Sequence, residues 1–62
     1  MYQVTAPKQE WLGTTSVATL ETAIRMKAAW KVNQKAHAII LDSNGYIVSE
    51  LEQARHLVDI LS

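Results

Sequence analysis

The sequence predicts a small α+β domain over residues 1–62, in the order β-β-α-β-β-α, with two helices packed on one face of an antiparallel sheet of three or four strands. A polar Asn-Gly turn between two apolar runs in residues 36–48 predicts a β-hairpin. A Ser-x-x-Glu capping box at residues 49–52 follows directly and predicts the start of a helix. Good helix formers fill residues 20–33 and predict the other helix.

The first strand is predicted over residues 2–6, where apolar and polar side chains alternate as they do in a half-buried strand. Pro7 ends this strand because proline cannot donate to a strand ladder. Residues 11–18 are rich in Trp, Thr and Val, and they form either a second strand with a bulge at Gly13 or an open loop. The sheet has four strands in the first case and three in the second.

Thr19 is the predicted N-cap of the first helix, which runs from Leu20 to about Asn33. Two apolar stripes run along the surface of this helix. One contains Leu20, Ile24, Ala28 and Val32, and the other contains Ala23, Met26 and Trp30. The stripes form either one wide buried face, with lysine stems lying over it, or two separate contact surfaces. In the second case the stripe of Met26 and Trp30 contacts the last helix or a second chain.

The hairpin turn has two possible registers. In the first, a type I turn with a left-handed Gly45 forms a G1 bulge and pairs Asp42 with Tyr46. In the second, a two-residue turn at Asn44-Gly45 shifts the pairing by one residue. Apolar side chains lie on both faces in either register, with Ile39 and Leu41 on one face and Ala38 and Ile40 on the other. Such a hairpin has to be covered on both faces, which favours a second chain.

The last helix is predicted from Glu50 to about Leu61. Its apolar residues share one face, which is expected to pack on the sheet: Leu51, Ala54, Leu57, Val58 and Leu61. Its polar residues form the opposite face: Glu52, Arg55, His56 and Asp59. Ile60 lies outside the apolar face and is expected to be exposed or to contact a partner.

Composition limits the ways in which so short a chain can be stabilised. A domain of 62 residues buries only about 60% of the surface of its unfolded chain. The chain has no cysteine, and two histidines are too few for a zinc site unless carboxylates or another chain complete it. We therefore expect a homodimer and no cofactor. No apolar run approaches the ~18 residues that span a bilayer, so we expect no membrane partner and a cytoplasmic location.

Charge is balanced over the whole chain but not along it. Residues 1–35 contain five Lys and Arg against two Glu, whereas residues 36–62 contain one Arg against four Asp and Glu. A net charge of zero is not typical of a general nucleic-acid binder. A local ridge of Lys27, Lys31 and Lys35, with Trp30 nearby for base stacking, makes nucleic-acid binding the alternative function.

No residue is assigned a catalytic role. His37 is expected at a strand end and His56 on a solvated helix face, and Gly13 and Gly45 are too isolated to form a phosphate-binding loop. The third possible function is a small oligomeric enzyme with a site between chains.

The function predicted first is that of a small non-catalytic interaction or regulatory module, of the kind found among accessory proteins of bacteria and phages. It is expected to act as a homodimer or with another protein, through its first helix or sheet face. The candidate contact residues are Met26, Lys27, Trp30, Lys31 and Trp11. The two tryptophans are included because Trp is enriched in the parts of interfaces that contribute most to affinity.

Overall fold

The structure is a computed structural model that describes residues 1–61, and it confirms a small α+β fold with a three-stranded antiparallel sheet and two helices. The elements in chain order are β1 (Tyr2–Thr5), β2 (Thr14–Val17), α1 (Leu20–Asn33), β3 (Ile39–Leu41) and α2 (Glu50–Leu61). The strand order is β2-β1-β3, so β1 is the central strand and pairs antiparallel on both sides.

Residues 11–18, predicted as either a strand or a loop, contain the end of a 3-10 turn followed by a strand. Residues Glu10–Leu12 form one turn of 3-10 helix, and Gly13 then reverses the chain with a φ of 69°. Because Gly lacks a Cβ atom, it adopts this positive φ at little cost. The strand begins only at Thr14, and Thr15 in β2 lies opposite Val4 in β1.

The turn of the predicted hairpin has the first of the two registers. The Gly45 amide donates to the Asp42 carbonyl over 3.0 Å, and the Asp42 amide donates to the Tyr46 carbonyl over 2.8 Å. Gly45 has a φ of 86°, as the G1 bulge requires. The Asp42 carboxylate accepts hydrogen bonds from the amides of Asn44 and Tyr46, which explains why a polar tetrapeptide occurs here.

The prediction of a second hairpin strand over residues 46–48 is wrong, because no strand of the sheet forms there. This segment makes one isolated bridge, between Leu41 and Ile47, through two backbone hydrogen bonds: the Asp42 amide donates to the Tyr46 carbonyl, and the Val48 amide donates to the Ile40 carbonyl. The chain enters α2 at Glu50, which leaves too few residues for a ladder. The opposite edge of β3 pairs with β1, and among the described residues the sheet has three strands.

The core lies between α1 and the sheet. Its buried members are Val4, Val17, Ala23, Ala38, Ile40 and Val48. The largest fully buried side chains are those of Ile40 and Val4, so the core is small even for a chain of this length. Thr19 caps α1 as predicted, since its hydroxyl oxygen accepts a hydrogen bond from the Thr22 amide over 3.2 Å.

The second face of the sheet is mostly polar. Directly opposed residues of an antiparallel pair point to the same face, so Gln3 and Thr5 of β1 share this face with Thr14 of β2. The Thr14 hydroxyl lies 3.3 Å from that of Thr5. Ile39 and Leu41 also lie here and are half-buried. The other two strands therefore surround Ile39 and Leu41 with polar residues on this face.

The placement of α2 differs from the prediction of two helices packed on the sheet. Helix α1 contacts all three strands, whereas α2 contacts α1. The Ser49 hydroxyl oxygen caps α2 as predicted, accepting from the Glu52 amide over 3.2 Å. Within α2, however, the only buried residue is Gln53, which belongs to neither of the two predicted faces.

Candidate functional site

The most prominent surface feature is a row of apolar side chains along α2 that faces solvent. Leu51, Val58 and Leu61 are 66%, 64% and 85% exposed, and Ala54 between them is also exposed. We call these four residues the apolar stripe. The sequence predicted that they share one face of the helix, but it placed that face in the core.

The spacing within the apolar stripe is three, four and three residues. This is the spacing of the core positions of a helix that pairs with another helix. Leu57 lies between the stripe and the side that faces the protein and is 38% exposed, whereas Ile60 lies on the same side as Gln53, near the end of the helix, and is 44% exposed. The exposed apolar surface therefore runs the full length of α2.

Gln53 sets the rotation of α2 about its own axis. Its side-chain amide donates to the Val48 carbonyl over 3.0 Å, and its side-chain oxygen accepts from the Lys27 ammonium over 3.1 Å. Residues two apart on a helix point about 160° away from each other, so turning Gln53 inward turns Leu51 outward. His56, one turn further along, is half-buried on the same side as Gln53.

Lys27 ties α1 to the first turn of α2. Its ammonium lies 2.5 Å from a carboxylate oxygen of Glu50, and its side chain is only 22% exposed. The hydrogen bond from Lys27, together with the positive charges of Lys27 and Lys31, holds the pKa of the Glu50 carboxyl below its usual value. The Lys27 ammonium is therefore held at the junction of the two helices.

The contact residues predicted on α1 are mostly not free surface. Met26 and Trp30 are half-buried and pack against the core, as do Leu20 and Ile24 from the first half of the other predicted stripe. Ala28 and Val32, from the other predicted stripe, are exposed. Trp11 is 72% exposed on the 3-10 turn, away from α1 in sequence.

The predicted lysine ridge is not a row of three equivalent cations. Lys27 is engaged by Glu50 and Gln53, whereas Lys31 and Lys35 are exposed. Lys35 also lies beyond the end of α1, in a left-handed conformation with a φ of 52°. The helical spacing that would align the three side chains therefore ends before the last of them.

A cleft of about 490 Å³ lies beside this junction. It is lined by Ile24, Lys27, Ala28, Lys31, Ala36, His37, Ala38, Ile39 and Glu50. Its rim combines basic groups with one carboxylate over an apolar floor, and Glu50 already neutralises Lys27 there. Among residues 1–61 no three His, Cys, Asp or Glu side chains come together as a metal site.

Sequence reasoning missed Gln53, the residue that orients α2. A glutamine between charged residues on a helix gives no local signal of burial, and only its position one turn after the Ser49 cap distinguishes it. Neither helix in the described part of the chain is long and apolar enough to cross a membrane. Comparison with protein-family models, curated proteins and solved structures finds no match to this chain.

Proposed function

We propose that this protein is a non-catalytic interaction module that binds its partner through the apolar stripe of α2. The single observation that supports the proposal is the exposure of Leu51, Val58 and Leu61 on a helix whose buried side is polar. Contiguous apolar surface on a small soluble domain is typical of an interaction site, whereas apolar residues scattered singly are normal.

The chemistry of this surface suits binding by helix contact. Amphipathic helices bind through apolar residues at spacings of three and four, which is the spacing of the stripe. Hydrogen bonds from Gln53 hold α2 in the orientation that presents these residues, so the surface is formed before binding. The proposal keeps the interaction role predicted from the sequence but moves its surface from α1 to α2.

No specific observation favours the other two functions. Nucleic-acid binding through the lysine ridge would have to use Lys31 and Lys35 with Lys27 held by Glu50. An enzyme with a site between chains would need reactive groups brought together by a second copy, and the apolar stripe itself carries no such group.

The test compares three versions of the purified, tagged chain as baits in an extract of the native host: the unchanged protein, Val58→Lys and Val32→Lys. Val32 provides a matched control, because it is a valine near the end of the other helix and is 77% exposed. Both substitutions add the same charge near a helix C-terminus, where a cation is favourable.

The expected result is stoichiometric binding of a protein, either a second copy or another chain, by the unchanged protein and by Val32→Lys but not by Val58→Lys. Equal binding by all three baits would show that α2 is not the contact surface. Failure of the unchanged protein to bind itself or any other protein would overturn the interaction role.

A further inference from the structure

We propose that the occupant of the apolar stripe is a second copy of this chain, bound through an antiparallel α2–α2 contact about a two-fold axis. This inference rests on the proposed function and names its partner. The observation that carries it is the order of residues in the stripe, because the spacing of three, four and three reads the same in both directions. A two-fold axis between Ala54 and Val58 therefore superposes the stripe on itself.

The side-chain sizes match in this arrangement. Reversal about that axis places Leu51 against the partner's Leu61, and Ala54 against the partner's Val58. Each layer then contains either two leucines or one alanine with one valine. A parallel pair would instead put Ala54 against the partner's Ala54, which would leave a gap between two small residues.

One flank of the stripe is also complementary when the helix is reversed. In an antiparallel pair of helices, each flank of one helix faces the same flank of the other. Leu57 therefore lies beside the partner's Leu57, which covers the half-exposed surface of both side chains. A parallel pair would place Leu57 beside the partner's Arg55. On the other flank, the same rule places Arg55 beside the partner's Arg55, so a like-charge contact at the exposed edge of the pair opposes association and is screened by salt.

The surface of α2 already has a depression where the partner's side chain would enter. A shallow groove of about 420 Å³ is lined by Ala54, Arg55, Val58 and Asp59. Ala54 is the smallest residue of the stripe, so the groove lies where the antiparallel arrangement places the partner's Val58. Packing of one side chain into a space between four residues of the facing helix is how paired helices interlock.

The small core provides a physical reason for self-association. Only Ile40 and Val4 are large side chains that are fully buried, so the monomer is marginal and gains from burying the stripe. The contact itself is short, since a helix of 12 residues is about 18 Å long. An interface of this length buries less than the roughly 1,600 Å² of a standard stable complex, so the dimer should dissociate on dilution in the micromolar range.

The test uses disulfide cross-linking. Because the chain has no cysteine of its own, every disulfide formed must join introduced cysteines. Leu51→Cys and Leu61→Cys are prepared with different tags, folded separately, mixed and oxidised mildly. Val32→Cys serves as a control for random collision, because its position on α1 is highly exposed and outside the stripe. Sedimentation equilibrium of the unchanged chain is measured beside it, from low micromolar to several hundred micromolar.

The expected product is a mixed disulfide between Leu51→Cys and Leu61→Cys, formed at least tenfold faster than any Val32→Cys dimer. Leu51→Cys alone should not cross-link, because in the antiparallel pair its two copies are about 15 Å apart along the axis. Sedimentation should show a reversible monomer–dimer equilibrium whose dissociation constant rises at least tenfold in Val58→Lys.

Rapid self-cross-linking of Leu51→Cys would overturn the antiparallel arrangement. A monomer at every concentration would overturn the second copy as the occupant. If the extract experiment then still yields a protein that depends on Val58, the occupant is a different chain and the interaction role stands. If neither experiment shows binding, both proposals fail.

Discussion

Replacing Gln53 by Met removes both side-chain hydrogen bonds that orient α2 while keeping the length and most of the volume of the side chain. Gln53 is 6% exposed, donates to the Val48 carbonyl over 3.0 Å and accepts from Lys27 over 3.1 Å. Methionine fits the same space but can make neither bond. The substitution therefore reports on the polar contacts of α2 rather than on its packing.

The expected loss of folding free energy is the sum of the contributions of the two hydrogen bonds that the substitution removes. The bond to the Val48 carbonyl is neutral and contributes about 1 kcal/mol, whereas a bond to a charged group contributes about 1.5–3 kcal/mol. Lys27 retains Glu50 as a partner, so the second loss is smaller than this range, about 1 kcal/mol. We expect the free energy of unfolding to fall by about 2 kcal/mol, out of roughly 3–9 kcal/mol for a domain of this length.

Urea denaturation measures this change, with tryptophan fluorescence as the signal because Trp30 packs against the core. The protein is kept at low micromolar concentration so that self-association does not contribute. In a thermal experiment, the midpoint should fall by about 8–16 °C. Gln34→Met is the matched control, because Gln34 is exposed at the end of α1 and the same substitution there should change stability by less than about 0.5 kcal/mol. Equal effects of the two substitutions would refute the claim that Gln53 holds α2 in place.

Three further results are expected. Ser49→Ala should lower the free energy of unfolding by about 1 kcal/mol in urea denaturation, because it removes the N-cap acceptor of α2; no loss would mean that the cap is not used. Gly45→Ala should cost about 1 kcal/mol or more at its φ of 86°, whereas Lys35→Gly, at a φ of 52°, should be neutral or stabilising; the reverse order would contradict these turn conformations. The pKa of Glu50, followed by NMR, should rise in Lys27→Met, because Lys27 lowers it. Because the pKa of Glu50 is lowered in the folded state, the stability that this pair contributes is present above the ordinary glutamate pKa of about 4.3. It is lost as the pH falls through the pKa of the folded state. An unchanged Glu50 titration in Lys27→Met would contradict the pairing.

The features that the sequence predicted well depend on local chemistry. Thr19 and Ser49 begin the two helices because a hydroxyl there can accept from an amide three residues later. The tetrapeptide ending in Gly45 forms the predicted turn for a similarly local reason, with the Asp42 carboxylate bonding to nearby amides. These interactions are complete within a few residues, so the sequence alone is sufficient to locate them.

Features that depend on distant parts of the chain were predicted less well. The residues 46–48 follow a strong turn signal, but β3 forms its ladder with β1, which is more than thirty residues earlier in the chain. The turn signal predicts the reversal at residues 42–45 and the bridge that follows it, whereas the pairing of the opposite edge of β3 depends on β1. Strand pairing of this kind is a choice between long-range alternatives.

The candidate site shows the same limit. The periodicity of α2 correctly grouped Leu51, Val58 and Leu61 on one side of the helix, but periodicity does not state which side contacts the protein. That choice depends on Gln53 and on its bond with Lys27, a residue 26 positions earlier. Met26 and Trp30, two of the predicted contact residues, are half-buried against the small core, and periodicity alone does not state this.

The most direct test of the account is carbene footprinting of the unchanged chain at two concentrations, read by mass spectrometry. At low micromolar concentration Leu51, Val58 and Leu61 should be labelled as readily as the exposed Val32, whereas Ile40 should be protected. At several hundred micromolar the three stripe residues should become protected while Val32 stays labelled. Protection of the stripe at the lower concentration would show that α2 packs its apolar side inward, and equal labelling at both concentrations would show that no second copy covers it.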